Sequence, residues 1–394
     1  MSYIAILGRQ PALGTAELER IYGGKAVTPI SLQSVIIDCE DFEIQRFGGV
    51  LKAGKVITEL QPSNWRQVSQ RIVQLYSDKW SKFEGKITLG ISVYDFVVSN
   101  REVQQAGIIL KQKLKKHNVS LRLVPNSDPA LSTATSHHNK LGLSPNKVEL
   151  IIVRTREGKI YIAESTGSQN ITAYAQRDQE RPKRDAFVGM LPPKLAQIMI
   201  NLACGQLRPE EGRKLVVLDP FCGTGVIPQE AVLMGHAAYG TDLSEKMVEY
   251  SHANIKWLED VYHKEFDYKF SHGDAMTNKW QQPINAVVAE TYLGQPFSAP
   301  PSPAKLEEVV KNCDYIITEF LRNLGTQIKP GTPVCIAVPA WRNKEGRFTH
   351  LPITSIIARF GYKPHEFTNI SQNDLLYYRE DQVVARELLV LTRV

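Results

Sequence analysis

The chain has 394 residues, 43% of them hydrophobic, and a formal net charge of +6, which is length enough for about two or three domains with substantial cores. It has no run of about 18 apolar residues, and its first ten residues, MSYIAILGRQ, lack both a long apolar stretch and a small-residue cleavage site. Neither a membrane span nor a secretory leader is expected, and the chain reads as cytoplasmic. The five cysteines, Cys39, Cys204, Cys222, Cys313 and Cys335, never fall in C-x-x-C spacing, so a disulfide framework and a metal site are not expected either.

In chain order, residues 3–7 read as a strand, 16–21 as a helix stopped by Gly23 and Gly24, and 34–38 as a second strand. A short helix at 42–47 and a strand at 51–59 complete a small α+β unit. After Pro62 to Asn64 the elements alternate again. Helix 65–76, strand 87–94, helix 101–116, strand 121–124 and a helical piece at 134–140 lead to a hairpin, 148–155 with 159–164. Lys111, Lys113, Lys115 and Lys116 crowd the end of helix 101–116, where cations complement the helix dipole. Such a run is either a solvated face or a contact for RNA. His137 and His138 are adjacent, so they point different ways and are not expected to act as ligands.

Residues 171–190 read as a linker. Arg177, Arg181, Lys183 and Arg184 alternate there with Asp178, Glu180 and Asp185, and Pro182 discourages a helix. These four cations either bind phosphates or hold the domains together by ion pairs. Pro192 and Pro193 then open a helix running through Ala203.

The stretch LVVLDPFCGTGVIPQEAVLMGHAAYGTD carries the chemistry. A buried strand around 215–218 runs into a turn at Gly223 and Gly225, helix 226–234 follows, and a second strand ends at Asp242. An acid at that distance suits the two hydroxyls of a ribose. The turn lacks the P-loop lysine and the three-glycine dinucleotide spacing. Asp219 stands at the strand tip instead, where a carboxylate repels a pyrophosphate and attracts the cationic amino-acid end of S-adenosylmethionine. Cys222, inside the turn, reads as a packing residue. A third strand, 268–272, delivers Gly273, Asp274 and Ala275, and Asp274 meets the need of an adenine amine for an acceptor. Phe221, Leu243 and Ala275 flank these positions and are counted with the cofactor site. A fourth strand, 284–289, ends at Glu290, the position for acceptor chemistry. Helix 306–324, strand 333–338, helix 353–359 and two strands, 365–368 and 387–391, complete a sheet of about seven strands with an antiparallel edge.

The strings RDQERPKRD, GMLPPKLAQIMINLA, LDPFCGTG, GTDLS, HGDA and YYREDQVVARELLVL together make the chain resemble the THUMP-containing tRNA guanosine-N2 methyltransferases of archaea and eukaryotes, the position-10 enzymes. The resemblance implies a ferredoxin-like domain at 1–60, a THUMP RNA-binding domain at 61–170, a linker at 171–190 and a class I Rossmann-like methyltransferase domain at 191–394. It implies S-adenosylmethionine as cofactor, held by Asp219, Gly223 and Gly225 at the methionine end, Asp242 at the ribose and Asp274 at the adenine. Its implied partners are tRNA, with Lys111, Lys115, Arg177, Arg181, Lys183 and Arg184 as candidate contacts, and a small activating protein as in the eukaryotic branch.

The family's fourth strand usually ends in a D-P-P-Y-G type string. Here it reads Glu290-Thr291-Tyr292-Leu293-Gly294, without either proline, with an acid one methylene longer and a ring one place early. Glu290 still offers an acceptor to an exocyclic amine and Tyr292 a face for a flipped base. The altered string also admits a catalytically silent protein that binds S-adenosylmethionine and tRNA. DNA amino-methylation is disfavoured, because no separate target-recognition region remains.

Overall fold

The computed structural model describes residues 1–185 and 191–394. The last residues of the expected linker, and the first two of the GMLPP string, lie outside that set. Two compact units divide the chain. One comprises residues 1–11, 22–46 and 50–173, the other 12–21, 47–49 and 174–394.

The first unit is built on one eight-stranded sheet. Its strands are β1 (Ser2–Leu7), β2 (Val27–Pro29), β3 (Ser34–Asp38), β4 (Val50–Leu60), β5 (Lys86–Tyr94), β6 (Ser120–Leu123), β7 (Lys147–Arg154) and β8 (Ile160–Ser168), in the order β2-β3-β1-β4-β8-β7-β5-β6. Residues 52–60 of β4 pair antiparallel with 160–168 of β8, so one sheet crosses the expected boundary at residue 60. Helices α2 (Trp65–Trp80) and α3 (Asn100–Lys115) each begin with a capping box, Asn64 with Gln67 and Ser99 with Glu102. In both, two backbone N–H groups without helical partners are satisfied reciprocally. Their apolar stripes, Val68, Ile72 and Tyr76 in one and Val103, Leu110 and Leu114 in the other, form a core with Ile87, Leu89 and Ile91 of β5.

Most of α1 (Pro11–Tyr22) is counted with the second unit. The buried Glu17 carboxylate accepts from the Gly48 and Gly49 N–H groups at 2.9 and 2.8 Å and from Asn201 Nδ2 at 2.7 Å. This corrects the expectation that residues 1–60 stand apart as one domain. A similar correction applies to the linker: after the short α4 (Thr133–His138) of the first unit, its first half is a helix, α5 (Ile171–Gln179). Pro182 lies beyond that helix and removes nothing from it.

The second unit carries β9 (Val216–Asp219), β10 (Ala237–Asp242), β11 (Tyr268–His272), β12 (Ala286–Glu290), β13 (Pro333–Arg342), β14 (Phe348–Thr349), β15 (Tyr362–Pro364), β16 (Leu376–Tyr377) and β17 (Val384–Arg393). The main path of its sheet runs β11-β10-β9-β12-β13-β17-β15. The first five strands of that path are parallel, and β17 pairs antiparallel with both β13 and β15. Seven strands and an antiparallel edge match the sequence reading. The segment expected as helix 353–359 forms two short 3-10 turns instead.

Strand alternation divides the apolar side chains between the two faces of this sheet. Val217, Ala238, Val288 and Cys335 pack with α6 (Pro193–Cys204), α7 (Val226–Leu233) and α8 (Glu245–Tyr262). Leu218, Tyr239, Val287 and Ile336 pack on the opposite face with Cys313, Ile317, Phe320 and Leu324 of α9 (Pro303–Gly325). Among the described residues, no helix is long and apolar enough to cross a membrane, and no cluster of His, Cys, Asp and Glu is arranged to hold a metal ion.

Candidate active site

In a doubly wound sheet the crevice lies beyond the carboxyl ends of the strands, where the strand order reverses. In this sheet that point is between β9 and β12. A cavity of about 570 Å³ lies there, lined by Asp219, Phe221, Cys222 and Gly223 after β9, Asp242 and Leu243 after β10, Asp274 and Ala275 after β11, and Glu290, Tyr292 and Gly294 after β12. Seven of the eight residues expected at a cofactor, and both expected at the acceptor, therefore share one cavity.

The eighth, Gly225, shapes the turn from behind. Its φ of 82° is the left-handed region, and a Cβ there would stand 2.9 Å from Ser251 Oγ. Gly223 also has positive φ, 51°. Its N–H donates to Asp242 Oδ2 at 2.9 Å, and the Ser244 N–H donates to Oδ1 at the same distance. The two strand-end turns are thus tied together through one carboxylate, whose oxygens retain further lone pairs.

Asp219 is 2% exposed. Burial pushes its carboxyl well above the usual range; the Phe221 N–H, which donates to Oδ1 at 3.1 Å, opposes that, and the neighbouring charges of Asp242 and Glu290 add to it. A buried acid with acidic neighbours gains most from an arriving cation. Cys222 is no nucleophile here, because burial beside Asp219 and Asp242 pushes its thiol well up and keeps the proton on. Asp274 is fixed by the Met276 N–H at 2.9 Å, and His272 Nε2 lies 2.9 Å from the Leu243 carbonyl oxygen. Leu243 and Tyr292 present large apolar surfaces, 67% and 41% exposed.

Glu290 is ion-paired through Oε1 to Nε of Arg386 on β17. Sequence reasoning missed this partner. Arg386 lies within the quoted YYREDQVVARELLVL string, and charged residues set directly before an apolar strand run, Arg386 and Glu387 before Leu388–Leu391, are the signal that was present. Asn312 and Ile316 of α9, which also line the cavity, carried no comparable signal.

The expected RNA contacts divide by burial. Lys111 and Lys115 are exposed on α3, and Lys183 and Arg184 are exposed after α5. Arg177 is corrected: its guanidinium is buried and forks onto Glu230 of α7 at 2.6 and 3.1 Å, with Tyr262 Oη at 3.2 Å. It has no open face for a phosphate. Arg181 is also buried, with Nε and Nη2 lacking hydrogen-bond partners among the described residues, so as it stands it is no surface contact.

Comparison with known proteins shows similarity to methyltransferases. A family model described as an RMKL-like methyltransferase domain, UPF0020, matches residues 181–288. The chain is 30% identical over 170 residues to a tRNA (guanine(10)-N2)-dimethyltransferase of Methanothermobacter thermautotrophicus, over 43% of this chain and 45% of that protein. It is 39% identical over 109 residues to the protein of that name from Pyrococcus abyssi, over 28% and 26% of the two chains. The chain thus spans less than half the length of these curated relatives. TrmN from Thermus thermophilus covers 100% of both chains with a TM-score of 0.52 and 15% identity, which shows a common fold. Residues 181–288 thus match the model of an RMKL-like methyltransferase domain, in a chain that is similar over part of its length to archaeal tRNA (guanine(10)-N2)-dimethyltransferases.

Proposed function

We propose that the protein transfers a methyl group from S-adenosylmethionine to the exocyclic N2 of a guanosine in tRNA, at position 10 by analogy with its relatives. The observation that carries this reading is the meeting, in one cavity, of acids suited to a cationic nucleoside with a carboxylate and an exposed ring suited to an amino-bearing base. The cofactor fits the residues present: the cavity is of nucleoside size, and Asp219 is a buried acid that ionises most readily beside a cation.

When bound, S-adenosylmethionine supplies an electrophilic methyl group. Asp219 holds the cationic amino-acid end, Asp242 accepts from the ribose hydroxyls and Asp274 from the adenine amine, while Phe221, Leu243 and Ala275 cover the apolar faces. The guanine amine is a weak nucleophile because its lone pair is delocalised into the ring. Glu290 polarises one of its N–H bonds, holds the nitrogen in place and takes up the proton released as N2 gains its methyl group. Stacking on Tyr292 contributes about 1 to 3 kcal/mol towards holding the base out of its helix. Lys111, Lys115, Lys183 and Arg184 supply phosphate contacts, and the first unit serves as the THUMP-type RNA-binding region.

The test is transfer of a radiolabelled methyl group to unmodified tRNA, with cofactor and tRNA binding measured in parallel. Label in N2-methylated guanosine supports the reading. Binding of both ligands without transfer supports the catalytically silent alternative.

A further inference from the structure

Four carboxylates, Asp219, Asp242, Asp274 and Glu290, line the cavity, and among the described residues the only cation paired with any of them is Arg386. It reaches in from β17, the antiparallel strand two places away from β12 in the sheet, where it stands opposite Pro339 of β13 and Tyr377 of β16. Only 8% of it is exposed. Burying a guanidinium costs several kcal/mol unless it is paired, so its placement here calls for a partner of opposite charge. Glu387, the next residue, alternates to the other face of the strand and pairs with His350 at 2.7 Å.

The contact is one-sided in a useful way. Arg386 engages Oε1, and among the described residues Oε2 of Glu290, on a side chain that lines the cavity, has no protein partner. A glutamate is one methylene longer than an aspartate and has one more torsion to fix. No proline stiffens the backbone over residues 291–295. An arginine gripping one oxygen supplies the missing restraint.

We propose that Arg386 is the positioning residue of the acceptor site: by holding Oε1 it fixes the rotamer of Glu290 and directs Oε2 at the amine of the incoming base. The proposal rests on the reading of Glu290 as the acceptor for the substrate amine. The charged groups near Glu290 are Arg386 from β17, which pairs with it, and Asp219 from β9, whose carboxyl feels the charges of both Glu290 and Asp242. Tyr292, Asn312 and Ile316, from the following loop and from α9, bring no charge.

Arg386→Met removes the charge and Arg386→Lys keeps it. With glutamate labelled with ¹³C at the side-chain carboxyl, and the resonance of residue 290 assigned by its loss in Glu290→Gln, the full-length protein is titrated without ligands. Arg386→Met is expected to raise the titration midpoint of Glu290 by about one pH unit or more, and Arg386→Lys to return it most of the way. In steady-state methylation, Arg386→Met is expected to lower kcat by about 100-fold with KM for tRNA little changed. The acid limb of its pH profile moves up in step with the titration, and Arg386→Lys restores that limb. An unchanged Glu290 titration in Arg386→Met overturns the proposal. So does a lysine variant no better than methionine in both readouts, which marks a purely structural strand residue. If the unaltered protein methylates no RNA, the functional reading fails on its own, while the carboxylate titration still decides whether Arg386 governs Glu290.

Discussion

Each of the two units sets a glutamate against a buried cation, and the pairs Lys52–Glu149 and Arg386–Glu290 differ in what surrounds them. In the first unit, Lys52 Nζ lies 2.5 Å from Glu149 Oε1, 2.7 Å from the Leu131 carbonyl oxygen and 3.4 Å from Ser92 Oγ; Ser92 itself donates to Glu149 at 2.6 Å. Lys52 is 2% exposed and Glu149 0%. Burial pulls the Lys52 ammonium below its usual range, against the opposing pull of Glu149. Glu149 Oε2 is unpartnered but fully enclosed, so no ligand reaches it. In the second unit, Glu290 has an unpartnered oxygen as well, yet its side chain lines a cavity. Burial of a charge pair therefore does not by itself make a site; what sets Glu290 apart is that its side chain opens to a cavity.

That contrast is broken most sharply by activity. Glu290→Gln is expected to lower single-turnover methyl transfer by about 100-fold or more while cofactor affinity, measured by calorimetry, stays within about threefold. Turnover per folded molecule in Glu149→Gln is expected to match the unaltered protein. Comparable losses in both variants would erase the distinction.

The next effect is on stability. Lys52→Met strands Glu149 and is expected to cost about 3 to 5 kcal/mol by chemical denaturation, most of it recovered when Glu149→Leu is added. A single-variant loss below about 1 kcal/mol would mean that water or another group already serves Glu149.

Asp219 gives a smaller effect with a definite sign. Its folded-state carboxyl is raised above the unfolded value, so its contribution to stability is full below about pH 4 and is lost as pH rises through the folded value. Asp219→Asn is thus expected to raise Tm at pH 8 and to converge with the unaltered protein at about pH 4, while weakening cofactor binding by about tenfold or more. Cofactor affinity of the unaltered protein should tighten as pH rises, with proton release visible as a dependence on buffer ionisation enthalpy. A Tm difference that persists undiminished to low pH would contradict the assignment.

The smallest effects fall on the exposed cations. Replacing Lys111 and Lys115 by alanine is expected to weaken tRNA binding by a few-fold and to lower the salt slope by about two. Arg177→Met, which opens the ion pair to Glu230, should lower thermal stability without flattening the slope. A flattened slope with Arg177→Met would restore that residue as an RNA contact.

The parallel half of the second sheet and its ligand crevice were legible because three signals coincide there. Apolar strand runs, obligatory glycines such as Gly225 and acids at successive strand tips are all local in sequence. Arg386 was not legible, since its partner lies 96 residues away and joins it only through the antiparallel return of β17. Burial of Arg177 escaped notice for a related reason. A charge-rich segment reads as solvated until the acid that neutralises it, Glu230 on α7, is seen to face it. The place of α1 depends on Glu17, a single buried carboxylate that collects two glycine N–H groups and Asn201, and no periodicity within residues 1–60 points to it.

Calorimetric titration of the purified protein with S-adenosylhomocysteine, beside Asp219→Ala and Glu290→Gln, is the most direct test of the central claim. The account predicts one site per chain in the unaltered protein, nearly the same affinity in Glu290→Gln and a marked loss in Asp219→Ala. No heat of binding in the unaltered protein, or equal binding in Asp219→Ala, would contradict it.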